Sequence, residues 1–400
     1  MILTGCDRLL GEPRRLAGRR YGLLAHGASV TADNRLLHLA LAASAAGPPA
    51  ALFGPEHGFY GVEQDMVASA DMRDPWTGAP IRSLYGDDAS SLKPRPEAFA
   101  GLEVLAIDLQ DVGSRYYTYA ATAVWGAEAA LAAGVEVWVL DRPNPLGGEV
   151  VEGNLPSTGY ESFVGAFRLP VRHGLTLGEL VRLESRRRGL GEGLEIWEME
   201  GWERRMRWRD TRRPWIAPSP NIPTPETAAV YPGGCLVEGT DLSEGRGTTR
   251  PFLLIGAPGV DPPLLVEALE GRGLPGGRTP EGRTPGVAFL PCRFRPQFHK
   301  HAGELCGGVE LVVTDPQTFS PYRCGVELLR AIHDRFGGVF SWRREPYEFV
   351  GDRPAIDLLA GGPELREAID SGHGLDAWIA GWEADEAEFR EERQEILLYP

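Results

Sequence analysis

A glutamate and a histidine stand side by side at Glu56 and His57, within a glycine-bounded octapeptide at residues 54–61. The octapeptide follows a short apolar run at 51–53, which has the composition of a buried strand. Partial burial can tune a carboxyl group as an acid, and glycines allow a ligand to approach the backbone closely. The pair therefore indicates acid–base chemistry at a strand end, with a loop turn that carries an N-capping glutamate as the alternative.

A second polar cluster, at residues 108–119, contains two carboxyl groups, one guanidinium and three tyrosines. Aromatic rings and planar hydrogen-bonding groups suit a sugar, because the faces of a pyranose are apolar and its rim is polar. Asp111, Arg115 and Tyr117 are therefore candidates for sugar binding or catalysis. The alternative is an aromatic strand-to-helix junction in which Arg115 pairs with Asp111.

Two further loops place charged side chains among glycines or prolines. Residues 141–148 follow an apolar run, and their two prolines predict a rigid turn that presents Arg142 and Asn144. Residues 238–249 alternate carboxyls, hydroxyls and glycines, so Glu244 and Arg246 could close on a polar ligand. Because strongly polar groups in a tight loop need partners, this pattern favours a binding site over a capped turn.

Two shorter segments add one candidate each. Thr176 and Glu179 have the spacing of a helical capping box, so they are predicted to be structural, and His173 lies just before that helix as a candidate for holding a carboxylate. The proline-rich run at 219–225 cannot be helical and predicts a rigid extended loop that presents Asn221.

Several chemistries are disfavoured because their motifs are missing. The chain has no G-x-G-x-x-G after its first strand, no G-x-x-x-x-G-K-[ST], no H-E-x-x-H and no G-x-S-x-G. Its five cysteines are scattered without a C-x-x-C pair, and two histidines at 299 and 301 are too few for a metal site. The sequence therefore predicts neither a metal nor another cofactor, and neither nucleotide binding nor serine-hydrolase chemistry.

The candidate residues lie in a part of the sequence where short apolar runs alternate with helix-like stretches. The alternation predicts an α/β fold with a parallel sheet and helices on both faces. Because the carboxyl ends of parallel strands converge on one rim, the polar clusters are expected to lie near one another. The predicted strands are 21–25, 51–53, 104–109 and 135–140, and the predicted helices between them are 36–46 and 122–133.

The 400 residues are enough for one large domain and a smaller one. We expect a Rossmann-like catalytic domain over 1–270 and a smaller α+β auxiliary domain over 287–400. Between them, residues 271–286 are rich in glycine, proline and arginine and have no apolar periodicity, which is typical of a linker.

Charge and hydropathy limit the partners. The chain has 56 acidic and 41 basic residues and a formal net charge of -15, which argues against nucleic acid or an anionic membrane. No run of about 18 apolar residues could span a bilayer. Leu3 to Cys6 resembles a lipoprotein cleavage box, but only Met1 and Ile2 precede it, so a cytoplasmic protein is expected unless the start is misassigned. The oligomeric state stays open.

Five motifs together resemble those of the NamZ-type exo-β-N-acetylmuramidases, which form glycoside hydrolase family 171, formerly domain of unknown function 1343. The likeness extends from about Tyr21 to the C-terminus, and it implies a Rossmann-like catalytic domain with a smaller C-terminal domain closing over the cleft. It also implies release of N-acetylmuramic acid from the non-reducing ends of peptidoglycan fragments. The motifs occupy residues 53–58, 109–119, 141–145, 218–224 and 238–249.

The resemblance implies that Glu56 is a catalytic carboxyl, and we assign it as the general acid with Asp111 or Glu244 as its partner. His26 departs from the family pattern, where an amide residue is frequent, and this concerns the shape of the sugar subsite. The expected partner molecule is thus a small muramyl saccharide.

The lactyl carboxylate of N-acetylmuramic acid suits a bidentate guanidinium, which nominates Arg115, Arg142 or Arg246. Two alternatives remain for the whole chain. One is a non-catalytic protein that binds muramyl glycans on the same scaffold. The other, an esterase or deacylase acting on sugars, is disfavoured because no nucleophile motif occurs.

Overall fold

A seven-stranded sheet forms the centre of the N-terminal part in this computed structural model, which describes residues 2–62, 72–84, 89–271 and 286–400. The spatial order of the strands is β3-β4-β2-β1-β5-β6-β7, and all neighbours are parallel except β3 and β4. The strands are β1 (Tyr21–Ala25), β2 (Ala51–Gly54), β3 (Met72–Arg73), β4 (Pro80–Ser83), β5 (Val104–Asp108), β6 (Glu136–Leu140) and β7 (Leu194–Trp197).

Both faces of this sheet are covered. Successive side chains of a strand point to opposite faces, and in β5 Leu105 and Ile107 belong to one buried apolar cluster whereas Val104 and Ala106 belong to another. Helices pack on each cluster. On the first lie α3 (Tyr119–Ala132) and α4 (Leu177–Arg188), and on the second lie α1 (Gly5–Gly11) and α2 (Leu37–Ala42).

The C-terminal part contains a smaller antiparallel sheet in the order β8-β10-β9. Its strands are β8 (Leu254–Ala257), β9 (Val287–Phe294) and β10 (Cys306–Val313). The helices are α5 (Pro225–Gly234), α6 (Pro262–Gly271), α7 (Pro321–Phe336), α8 (Ala355–Ala360), α9 (Glu364–Ser371) and α10 (Leu375–Arg393). Short 3-10 helices occupy Pro13–Arg15, Ala89–Leu92, Pro96–Phe99, Trp208–Thr211 and Cys235–Gly239.

The predicted fold class is confirmed, as are the four strands and two helices predicted for the N-terminal part. The division into 1–270 and 287–400 stays a prediction, and we note that β8 lies before this boundary and pairs with β10 beyond it. Most of the predicted linker lies outside the described residues, at 272–285. Across the described ranges, no helix has both the length and the apolar character needed to cross a membrane.

Candidate active site

A cavity of about 260 Å³ lies where the end of β2 and the start of α3 meet loops of the C-terminal part. Its wall combines carboxyl groups, cationic groups and aromatic rings, which is the mixture expected for a polar ligand with apolar faces. The lining residues are Glu56, His57, Tyr116, Tyr117, Thr118, Val164, Ser219, Asn221, Ile222, Tyr231, Glu238, Arg246, Phe252, His299, Arg343, Tyr347 and Glu348.

The chain reverses direction directly after β2, and this reversal positions Glu56. A side chain at Gly54 would place its Cβ 2.3 Å from the backbone nitrogen of Phe59, so only glycine fits there. His57 adopts a left-handed backbone with a φ of +71°, and Phe59 then packs into a buried apolar cluster. The chain thus turns directly after β2, and Glu56 stands in this turn.

Two residues at the start of α3 hold Glu56. The Thr118 hydroxyl donates a hydrogen bond of 2.5 Å to Oε2 of Glu56. The Tyr119 hydroxyl donates to the backbone oxygens of Glu56 at 3.3 Å and of Pro218 at 2.7 Å. These contacts fix the position of the Glu56 carboxyl in the cavity wall.

Glu238 also lines the cavity, but donors occupy both of its oxygens. Arg246 donates to Oε1 at 2.6 Å and the Tyr347 hydroxyl donates to Oε2 at 2.5 Å. The Arg246 guanidinium additionally lies 5.5 Å from the ring centre of Phe252. Glu238 is thus held as the hydrogen-bonded partner of Arg246 and Tyr347, and this cluster shapes one side of the cavity.

Glu244, a candidate partner of Glu56, is fully buried and is not among the residues that line the cavity. Its carboxylate lies 3.0 Å from Lys300 Nζ, 3.2 Å from His299 Nδ1 and 3.4 Å from Arg246 Nε. Burial opposes ionisation of Glu244, yet these cations outweigh it and hold its pKa well below the usual range. Glu244 therefore serves as a permanent anion that orients Arg246 and His299.

Asp111, the other candidate partner, is buried beside His173 and outside the cavity lining. Its Oδ2 accepts a hydrogen bond of 2.6 Å from the Gly113 backbone and lies 3.7 Å from His173 Nε2. Burial raises the pKa of Asp111 to about 7 and lowers that of His173 to about 3, so His173 is neutral. The Leu175 backbone donates to Nδ1 of this histidine at 3.1 Å.

Arg115 and Arg142 were expected to bind a ligand carboxylate, but neither lines the cavity. Arg115 donates to four backbone carbonyls, at Asn154 and Leu169 through Nη1 and at Leu359 and Ala360 through Nη2. This guanidinium therefore binds the C-terminal part of the chain to the N-terminal part.

Arg142 forms a buried ion pair with Asp108, with Nε–Oδ1 and Nη2–Oδ2 distances of 2.5 and 2.8 Å. Asn144 is also structural, since its Nδ2 donates to the Leu175 carbonyl at 2.9 Å and its Oδ1 accepts from the Leu146 backbone at 2.9 Å. The proline-anchored loop at 141–148 thus holds the strand ends together rather than contacting the cavity.

Of the residues predicted from sequence, the structure brings five to the cavity: Glu56, His57, Tyr117, Asn221 and Arg246. It adds Arg343, Tyr347 and Glu348, which sequence reasoning missed. The backbones of Tyr347 and Val350 form a two-way hydrogen-bonded bridge, so this segment is a tight hairpin turn. The turn residues are Glu348 and Phe349 instead of the usual Asn-Gly, which explains why no turn signal marked them.

A second cavity of about 640 Å³ adjoins the first, because His299 and Arg343 line both. His299 and His301, considered above as a weak metal motif, have other contacts here. His299 lies against Glu244, and Nε2 of His301 lies 2.8 Å from the Asp241 carbonyl. Within the described ranges, no group of three or more potential ligands could hold a metal ion.

A mostly parallel α/β sheet that places Glu56, after the end of β2, in a small cavity with tyrosines and cationic groups is typical of a protein that binds or cleaves a polar ligand such as a sugar. Comparison with known families makes this specific. Models described as the N-terminal and C-terminal parts of the exo-beta-N-acetylmuramidase NamZ match residues 21–226 and 229–399. The chain therefore belongs to the NamZ exo-β-N-acetylmuramidase family.

Individual relatives agree with this membership. The chain is 39% identical over 399 residues to the peptidoglycan beta-N-acetylmuramidase NamZ of Bacillus subtilis (strain 168), covering 100% of this chain and 91% of that protein. A crystal structure of a DUF1343 family protein from Bacteroides fragilis has a TM-score of 0.85 at 30% identity, covering 100% of this chain and 99% of that chain. A second such protein from that organism has a TM-score of 0.71 at 27% identity, with the same coverage.

Proposed function

We propose that the protein is an exo-acting glycoside hydrolase that releases N-acetylmuramic acid from the non-reducing ends of peptidoglycan fragments, with Glu56 as a catalytic carboxyl. The observation that carries the proposal is the position of Glu56, which stands at the end of β2 in a small cavity lined with tyrosines. Ligand pockets usually measure about 300–1,000 Å³, so a cavity of about 260 Å³, just below this range, suits a ligand no larger than a single sugar.

Glycosidic cleavage requires a proton for the leaving oxygen and a second group that acts at the anomeric carbon. From sequence alone, Glu56 is the expected proton donor. In the structure, Oε2 of Glu56 accepts a hydrogen bond from the Thr118 hydroxyl, an arrangement that also suits a carboxylate acting at the anomeric carbon or activating water. The walls formed by Tyr117 and Tyr231 can pack against the sugar ring during either step.

The lactyl carboxylate needs a cation, and the cavity offers two arginines. Arg246 is already paired with Glu238. Arg343 lies 5.1 Å from the ring centre of Tyr347 and donates to the Pro346 carbonyl at 3.3 Å, and it forms no ion pair with any residue that the structure describes. We therefore propose that Arg343, rather than the paired Arg246, binds the lactyl carboxylate.

Replacing Arg343 with alanine is expected to raise KM for a muramide about 10- to 100-fold, because a hydrogen bond to a charged group contributes about 1.5–3 kcal/mol. The same variant should have an unchanged KM for an N-acetylglucosaminide, which lacks the lactyl group. Initial rates on the two chromogenic substrates give this comparison. Arg344→Ala is the matched control, since it removes one positive charge from the neighbouring, exposed position. Equal changes of KM on both substrates would contradict the assignment.

The reaction itself is tested with a disaccharide that carries N-acetylmuramic acid at its non-reducing end, followed by mass spectrometry of the products. Hydrolysis yields the free monosaccharide and the aglycone. Saturable binding without products would instead support a non-catalytic glycan-binding protein. Loss of an acyl group from an intact disaccharide would support a deacylase.

The cytoplasmic location predicted from the N-terminal sequence belongs with this proposal, and fractionation of cells with an antibody to the protein tests it.

A further inference from the structure

Glu348 lines the cavity and lies in an unusual turn. It has a φ of +48° and the following Phe349 has a φ of +65°, so two successive non-glycine residues adopt the left-handed conformation. A non-glycine residue in this conformation is strained and persists only where the surrounding structure holds it, and such residues concentrate at functional sites. The backbone hydrogen bonds between Tyr347 and Val350, both 2.9 Å, hold the turn and present Glu348 to the cavity that contains Glu56.

Hydrogen-bond donors distinguish Glu348 from the other two carboxyls of the cavity. Glu56 accepts from Thr118, and Glu238 accepts from an arginine and a tyrosine. Oε2 of Glu348 is buried, and no donor among the described residues reaches it. A buried carboxylate oxygen without a donor is costly, whereas a protonated carboxyl avoids that cost and becomes a donor itself.

The net effect of burial and of the surrounding charges also favours the protonated form of Glu348. Burial raises the pKa of Glu348 above its ordinary value, and the negative charges of Glu56 and Glu238 add to the effect. The positive charges of Arg246 and Arg343 oppose it but do not cancel it. When two carboxyls share one cavity, the environment decides which of them keeps the proton at neutral pH. Among the described residues, a hydroxyl donates to Oε2 of Glu56, whereas no donor reaches Oε2 of Glu348.

From this difference we propose that Glu348 is the second catalytic carboxyl and gives its proton to the glycosidic oxygen. The inference rests on the proposed function. As the bond between C1 and the leaving oxygen breaks, the electron pair stays on that oxygen, which takes the proton of Glu348. The water whose oxygen finally bonds to C1 loses one proton to the Glu56 carboxylate. The products are the free sugar and the aglycone alcohol, and proton exchange with solvent restores both carboxyls.

A leaving-group comparison tests the proposal. A dinitrophenyl muramide needs no protonation of its leaving oxygen, whereas a disaccharide does. Glu348→Gln should therefore lower kcat/KM on the disaccharide about 100- to 10,000-fold, the usual contribution of general acid catalysis, and lower it less than tenfold on the dinitrophenyl muramide. Asp352→Asn is the matched control, because it also replaces a carboxyl with an amide, at an exposed position of the same segment that lines neither cavity, and it should leave both rates unchanged. Circular dichroism shows whether each variant is folded.

A pH profile supplies the second readout. The acid must be protonated, so wild-type kcat/KM on the disaccharide should fall as pH rises through the raised pKa of Glu348. Glu348→Asp keeps a carboxyl and should keep this alkaline decline on the disaccharide at a reduced rate, whereas the residual activity of Glu348→Gln on the disaccharide should lose it. On the dinitrophenyl muramide, which needs no general acid, the wild type itself should lack the decline. Equal losses on both substrates, no loss at all, or leaving-group dependence shown by Glu56→Gln instead would each overturn the assignment. Failure of the wild type to release the sugar would overturn the proposed function itself.

Discussion

Glu56→Gln is expected to lower kcat on a muramyl disaccharide about a thousandfold or more, which corresponds to about 4 kcal/mol of transition-state stabilisation. In the proposed mechanism Glu56 acts as a carboxylate, and the amide can neither take a proton from water nor place a negative charge at the anomeric carbon. Because this charge acts at the anomeric carbon or on water, the loss should persist on a dinitrophenyl muramide. KM should change little. Steady-state kinetics on both substrates measures the effect.

The control for this variant is Glu97→Gln, which makes the same change at an exposed carboxyl that lines neither cavity described above. A further variant, Glu56→Ala, leaves space for a small anion, and added azide should restore part of the rate on the dinitrophenyl muramide. Turnover near that of the wild type in Glu56→Gln would remove Glu56 from the mechanism. The proposed roles of Glu56 and Glu348 thus predict opposite dependence on the leaving group.

The parts of the fold that sequence predicted best are those governed by local composition. The apolar runs at β1, β2, β5 and β6 mark buried parallel strands, and strands of this kind need helices on both faces. The glycines around Glu56 mark a turn at the end of β2 because Gly54 leaves no room for a side chain. These signals depend on neighbouring residues only, so the sequence contains them in full.

The contacts of each charged side chain depend on residues that are distant in the sequence, so local composition does not predict them. Arg115 belongs to a motif typical of sugar binding, yet its partners Leu359 and Ala360 lie more than 240 positions away along the chain. Asp141 is similar, since it accepts hydrogen bonds of 2.6 Å from both Thr176 and Tyr399. Motif residues thus divide into some that line the cavity and some that hold its walls, and only tertiary contacts distinguish the two.

The same reasoning explains why Glu348 escaped notice. A carboxyl at the end of a strand attracts attention because the strand predicts its location. Glu348 instead follows Tyr347 in a hairpin turn without glycine, and the cavity of Glu56 forms only when the C-terminal part packs against the first sheet. The two proposed catalytic residues, Glu56 and Glu348, lie in distant segments, so no fixed sequence spacing marks them as a pair.

Arg142→Ala is expected to lower the free energy of unfolding by about 3–5 kcal/mol, the usual cost of removing one partner from a buried ion pair. Both side chains of the Arg142–Asp108 pair are nearly inaccessible, at 2% and 0% exposure. The variant would leave Asp108 buried without its cation, and Nη2 of Arg142 also donates to the Val30 carbonyl at 3.1 Å. Urea denaturation followed by circular dichroism measures the change.

Two comparisons separate this cost from the loss of a positive charge in general. Arg35→Ala breaks a pair with Asp33 in which the two side chains are 56% and 60% exposed, and it should cost far less stability because solvent screens this pair. The double variant Asp108→Leu, Arg142→Met replaces both charges with apolar groups and should recover a large part of the stability lost in Arg142→Ala, because no buried charge remains unpaired. If Arg142→Ala were no more destabilising than Arg35→Ala, the pair would not be holding the ends of β5 and β6 together. A double variant less stable than Arg142→Ala would show that the charged contacts themselves, and not the avoidance of an unpaired carboxylate, stabilise this rim of the sheet.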